Sequence, residues 1–161
     1  MAELIKVGLA DYKTCKFPDS LITYGLGSCI GIAIFDSKTK LGGLAHIMLP
    51  DSSNAKPTEN PAKFADKCLP LMVNELIQRG ASKYNIQAKI AGGAQMFALN
   101  KATDIMRIGE RNEESVKATL KSLNIPIMAS DTGGNYGRTV ELILETGKFK
   151  IKTINKGEKE I

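Results

Sequence analysis

Apolar residues in this chain gather in short runs divided by polar turns, with two longer stretches at helical spacing. Leu4-Ile-Lys-Val-Gly-Leu-Ala10 alternates enough to predict an opening strand, and the β-branched Ser20-Leu-Ile-Thr-Tyr24 predicts a second. Cys29-Ile-Gly-Ile-Ala-Ile-Phe35 and Leu44-Ala-His-Ile-Met-Leu49 flank a turn-rich stretch, Asp36-Ser-Lys-Thr-Lys-Leu-Gly-Gly43, and read as an antiparallel hairpin. The polar, proline-bearing segment from Pro50 to Pro61 predicts an exposed loop. From Lys63 to Arg79, Phe64, Cys68, Leu71, Met72 and Leu76 recur at helical spacing, and Gly80 stands where the helix would stop. Pro70 interrupts that pattern and predicts a kink near Lys67, or two abutting helices.

Ile86-Gln-Ala-Lys-Ile-Ala91 predicts a strand running into Gly92-Gly93. A second helix is expected over about Asn112 to Leu123, burying Val116, Leu120 and Leu123, with Glu113 and Glu114 in its first turn against the positive end of the dipole. Ile125-Pro-Ile-Met-Ala129 predicts an edge strand, because Pro126 cannot donate to a ladder. Asp131-Thr-Gly-Gly-Asn-Tyr-Gly137 is a glycine-rich loop. Val140–Glu145 and Lys148–Ile154 form a closing hairpin around Thr146-Gly147, and the charged tail, residues 155–161, is expected to fray. Strands interrupted by two helices predict an α/β (α+β) fold: one domain over residues 1–161, with a mixed sheet covered by helices.

Composition narrows the function classes. The 161 residues are 43% hydrophobic and 24% charged, enough for a real core. No apolar stretch approaches the roughly 18 residues of a membrane helix, and the N-terminus has no signal-peptide pattern, so membrane insertion is not expected and a cytoplasmic location is. The net charge of +5 is spread along the chain without an arginine-rich block, which argues against nucleic-acid binding. The stripe Lys148, Lys150, Lys152 reads as the solvated face of a strand. Cys15, Cys29 and Cys68 lack CxxC spacing, and with one histidine no metal site is marked; no cofactor is called for.

That single histidine, His46, follows Cys29 by 17 residues across the predicted hairpin. A two-residue turn would set Cys29 opposite His46. A four-residue loop, Ser37 to Lys40, would set His46 opposite Gly31 and diagonal to Cys29. In both registers the side chains share a face, roughly 5 to 8 Å apart at Cβ; an odd loop would separate them. A thiol beside an imidazole is a candidate nucleophile–base pair, in which imidazolium would favour the reactive thiolate. Gly25 and Gly27 allow a sharp turn whose N–H groups, at Gly27, Ser28 and Cys29, could hold an oxyanion. Thr23 is a candidate to orient the imidazole, as triad logic asks. Each feature also has a structural reading: a small buried cysteine, a satisfied core histidine, a glycine turn and an ordinary strand threonine. Cys15 and Cys68 read as structural.

Thr23-Tyr-Gly-Leu-Gly-Ser-Cys29 and Gly43-Leu-Ala-His-Ile-Met-Leu-Pro50 closely resemble CheD, the chemoreceptor glutamine deamidases of bacterial and archaeal chemotaxis. The similarity continues through Lys89-Ile-Ala-Gly-Gly-Ala-Gln-Met-Phe97, Ile108-Gly-Glu-Arg-Asn112 and Asp131-Thr-Gly-Gly-Asn-Tyr-Gly-Arg138. The resemblance implies a mixed α/β sandwich like the catalytic domains of glutamine-deamidating toxins. It places the catalytic cysteine, histidine and threonine on Cys29, His46 and Thr23. It implies substrate glutamines on the cytoplasmic domains of methyl-accepting receptors and binding to CheC, a phosphatase of the phosphorylated response regulator. The rival readings are a non-enzymatic adaptor that binds receptor and CheC, a thiol redox sensor, and methylesterase activity through the same acyl chemistry.

Overall fold

The computed structural model describes residues 1–96 and 107–161. In chain order its strands are β1 Leu4–Lys6, β2 Asp11–Lys16, β3 Ser20–Leu26, β4 Ile30–Asp36, β5 Leu41–Ile47, β6 Ile86–Gly92, β7 Ile127–Thr132, β8 Arg138–Ile143, β9 Lys148–Thr153 and β10 Gly157–Glu160. Helix α1, Ala65–Gln78, follows a short 3-10 turn at Pro61–Lys63, and helix α2 spans Ile108–Ser122.

The strands form two five-stranded sheets, one ordered β1-β3-β8-β9-β10 and the other β2-β5-β4-β6-β7. Both are mixed: β1 runs parallel to β3, and β6 parallel to β7, while the remaining neighbours are antiparallel. The second sheet is covered on both faces. Ile30, Ile32, Ile34, Ala45 and Ile47 pack under the helices with Leu69, Met72, Leu76, Val116 and Leu120. Ala33, Phe35 and Leu44 point the other way and meet Leu21, Leu26, Val140, Leu142, Phe149 and Ile151 of the first sheet. Two-sided burial explains why β4 and β5 read as continuous apolar runs rather than as alternation. Among the described residues, the expected mixed α/β sandwich with two helices is the observed architecture.

Several boundaries differ from expectation for physical reasons. The opening strand stops at Lys6, since Ala10 has a positive φ of 55° and turns the chain into β2. β2 has no hydrophobic signature because it is an edge strand that fully buries only Cys15. Pro70 neither splits nor ends α1, which runs unbroken across it. Its missing N–H lies in the second turn, while Cys68, Leu69, Met72, Val73 and Leu76 anchor the helix on the sheet. α2 begins one turn before Asn112, so Glu110 occupies its first turn, and Glu113 instead pairs with Lys117 at 2.8 Å. The tail is drawn into the sheet. β10 pairs with β9, Ile161 exchanges two backbone hydrogen bonds with Phe149, and Lys150 meets Glu158 at 2.9 Å. The lysine stripe is exposed as expected, but its charge is met by Glu158 and Glu160.

The early start of α2 depends on Gly109. A Cβ there would lie 2.5 Å from the Ala94 carbonyl oxygen and 2.6 Å from that of Gly93, both rigid backbone atoms. Alanine improves helix propensity by about 1 kcal/mol, whereas overpacking against atoms that cannot yield costs about 1–3 kcal/mol. The difference is a net loss of about 0–2 kcal/mol, so Gly109→Ala is expected to lower stability by about 1 kcal/mol in urea unfolding; a raised midpoint would refute this packing account.

Candidate active site

The hairpin register follows from a turn that Asp36 organises. Asp36 is buried at the end of β4, and one carboxylate oxygen accepts the Lys38 and Thr39 N–H groups at 2.9 and 3.2 Å. Its other oxygen accepts the Ser82 N–H at 2.9 Å. Burial works against this carboxylate, but those donors outweigh it and hold the acid below its usual range. The result is a four-residue loop, Ser37 to Lys40, with Asp36 opposite Leu41 and Gly31 opposite His46. His46 is thus diagonal to Cys29 on the face that looks toward the other sheet. Of the registers open to the sequence, this is the four-residue one.

Cys29 reaches β4 through a tightly laced loop. The pairing of β3 with β8 is irregular between Thr23 and Leu26, where Gly25 takes a left-handed φ of 71°. The Gly93 N–H then donates to the Cys29 carbonyl and the Ala94 N–H to the Gly27 carbonyl, each at 2.9 Å. Gly92, at φ 115°, passes so close that a Cβ would lie 2.2 Å from the Cys29 oxygen. Cys29 is partly buried, whereas Cys15 and Cys68 are sealed in the core.

Thr23 meets His46 across the layer between the sheets. Its hydroxyl donates to the Val7 carbonyl at 2.8 Å and also lies 2.8 Å from His46 Nδ1. A hydroxyl has one proton. With that proton directed to Val7, Thr23 Oγ1 receives the Nδ1–H of His46. Nε2 is therefore the bare, basic nitrogen, and among the described residues it is buried without a hydrogen-bond partner.

Burial sets the resting charge of the site. It pulls His46 down to about 4 and pushes the Cys29 thiol above its ordinary range, the latter eased by the residue's own backbone N–H. At neutral pH the pair rests as thiol and neutral imidazole, not as the expected thiolate–imidazolium pair. Burial lifts Cys15 to about 11 and Cys68 to about 12, which keeps both inert. Of the three N–H groups assigned to an oxyanion, that of Gly27 turns back to the Gly25 carbonyl at 3.1 Å, leaving Ser28 and Cys29.

Two buried polar residues at the site carried no assigned role in the sequence reading. Asn112 Nδ2 donates to the Ser28 carbonyl at 2.9 Å and to that of Met48 at 3.0 Å. Its signal is a polar residue in line with Val116 and Leu120 on the buried stripe of α2. Arg138 is buried, pairs with Asp131 at 3.1 Å and lies over the Tyr136 ring at 4.6 Å, closing the glycine-rich loop on itself. That loop reaches the neighbours of Cys29 through Gly133 N–H to the Gly92 carbonyl and Gln95 N–H to that of Gly134. Phe97, the end of one family-like motif, lies outside the described residues.

The unfolded chain protonates His46 near pH 6.5 and the folded chain only near 4. The native state thus binds fewer protons in that window, and its stability is full above pH 6.5 and falls as pH drops, by about 3 kcal/mol at pH 4. Urea unfolding of the wild type and of His46→Gln across pH 4–7 is expected to show this acid loss in the wild type only, above a common carboxylate background; parallel curves would refute it.

Residues 48–153 match the family described as CheD chemotactic sensory transduction. Over all 161 residues, and over the whole of each relative, the chain is 52% identical to the "Probable chemoreceptor glutamine deamidase CheD" of Lachnoclostridium phytofermentans and 53% identical to that of Syntrophomonas wolfei. It is 49% identical to the "Chemoreceptor glutamine deamidase CheD" of Halalkalibacterium halodurans, again over the full length of both. The family match begins beyond Thr23, Cys29 and His46, but the full-length relatives span all three positions. With more than half its length inside the family match and relatives at about half identity from end to end, this chain belongs to the CheD family.

Proposed function

We propose that the chain is a cysteine hydrolase that converts glutamines on the cytoplasmic domains of chemoreceptors to glutamates. The observation that carries this reading is the Thr23–His46 hydrogen bond, which leaves Nε2 bare on the face His46 shares with Cys29. The names of the full-length relatives supply the substrate class.

In the proposed sequence the Cys29 sulfur attacks the side-chain amide carbon as its proton passes to His46 Nε2. The carbonyl electron pair moves to oxygen, and the Ser28 and Cys29 N–H groups stabilise that oxyanion. Collapse of the tetrahedral adduct expels ammonia, which takes the proton from His46, and leaves a thioester on Cys29. Water then attacks the thioester while His46 accepts its proton. The second collapse returns that proton to sulfur and releases glutamate. Thr23 holds the imidazole tautomer throughout. A site whose partners rest neutral favours such coupled proton transfer, because charge appears only as bonds form. Each turnover places a negative charge on a receptor helix, a change able to bias a two-state signalling element.

The family resemblance further pairs this chain with CheC, as a partner that it stimulates and that competes with receptor. An enzyme acting on the cytoplasmic domains of receptors would itself be cytoplasmic. The described residues include no helix long and apolar enough to cross a membrane.

Cys29→Ala is expected to retain the wild-type circular dichroism and to abolish ammonia release. Mass spectrometry of a receptor fragment should then show no amide-to-acid mass gain at any glutamine. Retained conversion by this variant would overturn the mechanism. Restored adaptation in cells without conversion would favour the adaptor. Thr23→Val removes the Nδ1–H acceptor and is expected to lower kcat by about 10²–10⁴-fold, with KM little changed; a wild-type kcat would remove Thr23 from the mechanism.

A further inference from the structure

Asn112 is fully buried in α2, and its amide touches both arms of the site. One hydrogen bond reaches the Ser28 carbonyl, immediately before the nucleophile. The other reaches Met48, two residues beyond His46, whose own N–H is tied to the Lys63 carbonyl. The Asn112 Oδ1 is buried without a partner among the described residues. An apolar side chain would fill this place on the α2 stripe without that penalty, so the two N–H donors are what distinguish asparagine here.

The Ser28 carbonyl and the Cys29 N–H are two ends of one planar amide. A donor on the oxygen fixes the plane, and by drawing electron density from nitrogen it strengthens the N–H as a donor. The next amide is fixed as well, since Gly93 donates to the Cys29 carbonyl at 2.9 Å. The nucleophile thus stands between two pinned peptide planes, one held by α2 and the other by the end of β6.

We propose that Asn112 is a positioning residue that aims and polarises the Cys29 N–H as the oxyanion donor. The proposal rests on the deamidase reading above. Asn112 itself touches no reacting atom. It acts through the Ser28–Cys29 peptide, and its link to Met48 sets the spacing between the nucleophile loop and the strand that carries His46.

The test compares wild type, Asn112→Leu and Asn112→Asp in three measurements on the full chain. Ammonia release from a receptor fragment gives kcat and KM. Alkylation of Cys29 by iodoacetamide needs the thiolate and its surroundings but builds no oxyanion. The amide resonance of Cys29 in a ¹⁵N–¹H spectrum reports polarisation of that N–H. Losing the donor to Ser28 is expected to lower kcat by about 10–10²-fold, with KM and the alkylation rate within about twofold and the Cys29 amide resonance displaced. Unchanged kcat overturns the proposal. So does a kcat that falls only in step with alkylation, since Asn112 would then merely support the thiol. If Asn112→Leu does not fold, Asn112→Asp carries the same comparison, and failure of both to fold assigns Asn112 to the fold alone and overturns the proposal. A wild type that releases no ammonia sinks the deamidase reading instead, and the Cys29 resonance still decides whether Asn112 polarises that amide.

Discussion

One buried hydrogen bond, between His46 and Thr23, ties the two sheets together at the point where chemistry is proposed. Its direction comes from a third partner. The Val7 carbonyl, just beyond β1, takes the threonine proton, so the exit from β1 and the strands β3 and β5 all contribute to a single chain of donors and acceptors. In a layer without competing water such a chain is strong, and each group in it would be expensive to leave unpaired. The sandwich therefore orients the imidazole and chooses its tautomer at once. A strand pairing that moved Val7 away from Thr23 would release the hydroxyl proton and reverse the assignment.

The same burial that orders this bond keeps the site uncharged at rest. His46 is pulled down to about 4 and Cys29 pushed up, both by loss of water around their charged forms. What separates Cys29 from Cys15 and Cys68 is position. The latter two are sealed in the core, whereas Cys29 sits at a loop-to-strand junction with partial access. The backbone there is crowded: Gly92 leaves no room for a side chain beside the Cys29 carbonyl, and α2 presses on Gly93 and Ala94 through Gly109. Glycine in these places gives close approach of backbones, which fixes the loop that carries Cys29 without covering its thiol.

Much of the fold was legible because central strands and helix stripes bury aliphatic residues in recognisable patterns. The hairpin from β4 to β5, helix α1 and the closing β8–β9 pair were all readable in this way. β2 was not, because an edge strand needs little burial and Asp11-Tyr-Lys-Thr-Cys-Lys16 carries little. β10 was hidden for a related reason: its four residues are all exposed, and it is held by ladder bonds to β9 and by lysine–glutamate pairs. The first turn of α2 escaped because its buried position is Gly109, which does not read as hydrophobic. The loop length between β4 and β5 had a local signal in Asp36, a residue suited to closing a turn with its side chain.

The sequence by itself determined the face on which Cys29 and His46 lie, to within an even loop, because side chains alternate along a strand and a hairpin couples the two alternations. It also marked the glycine turn before Cys29 and the family to which the chain is similar. Only the tertiary structure decided the register, the tautomer, the neutral resting state and the place of Asn112. Each of these depends on groups far apart in the chain: the Val7 carbonyl on Thr23, water excluded from His46 by a second sheet, and a helix side chain reaching Ser28 and Met48. Periodicity reports which side of an element is buried. It does not report what lies opposite, and hydrogen-bond direction and ionisation are set by what lies opposite.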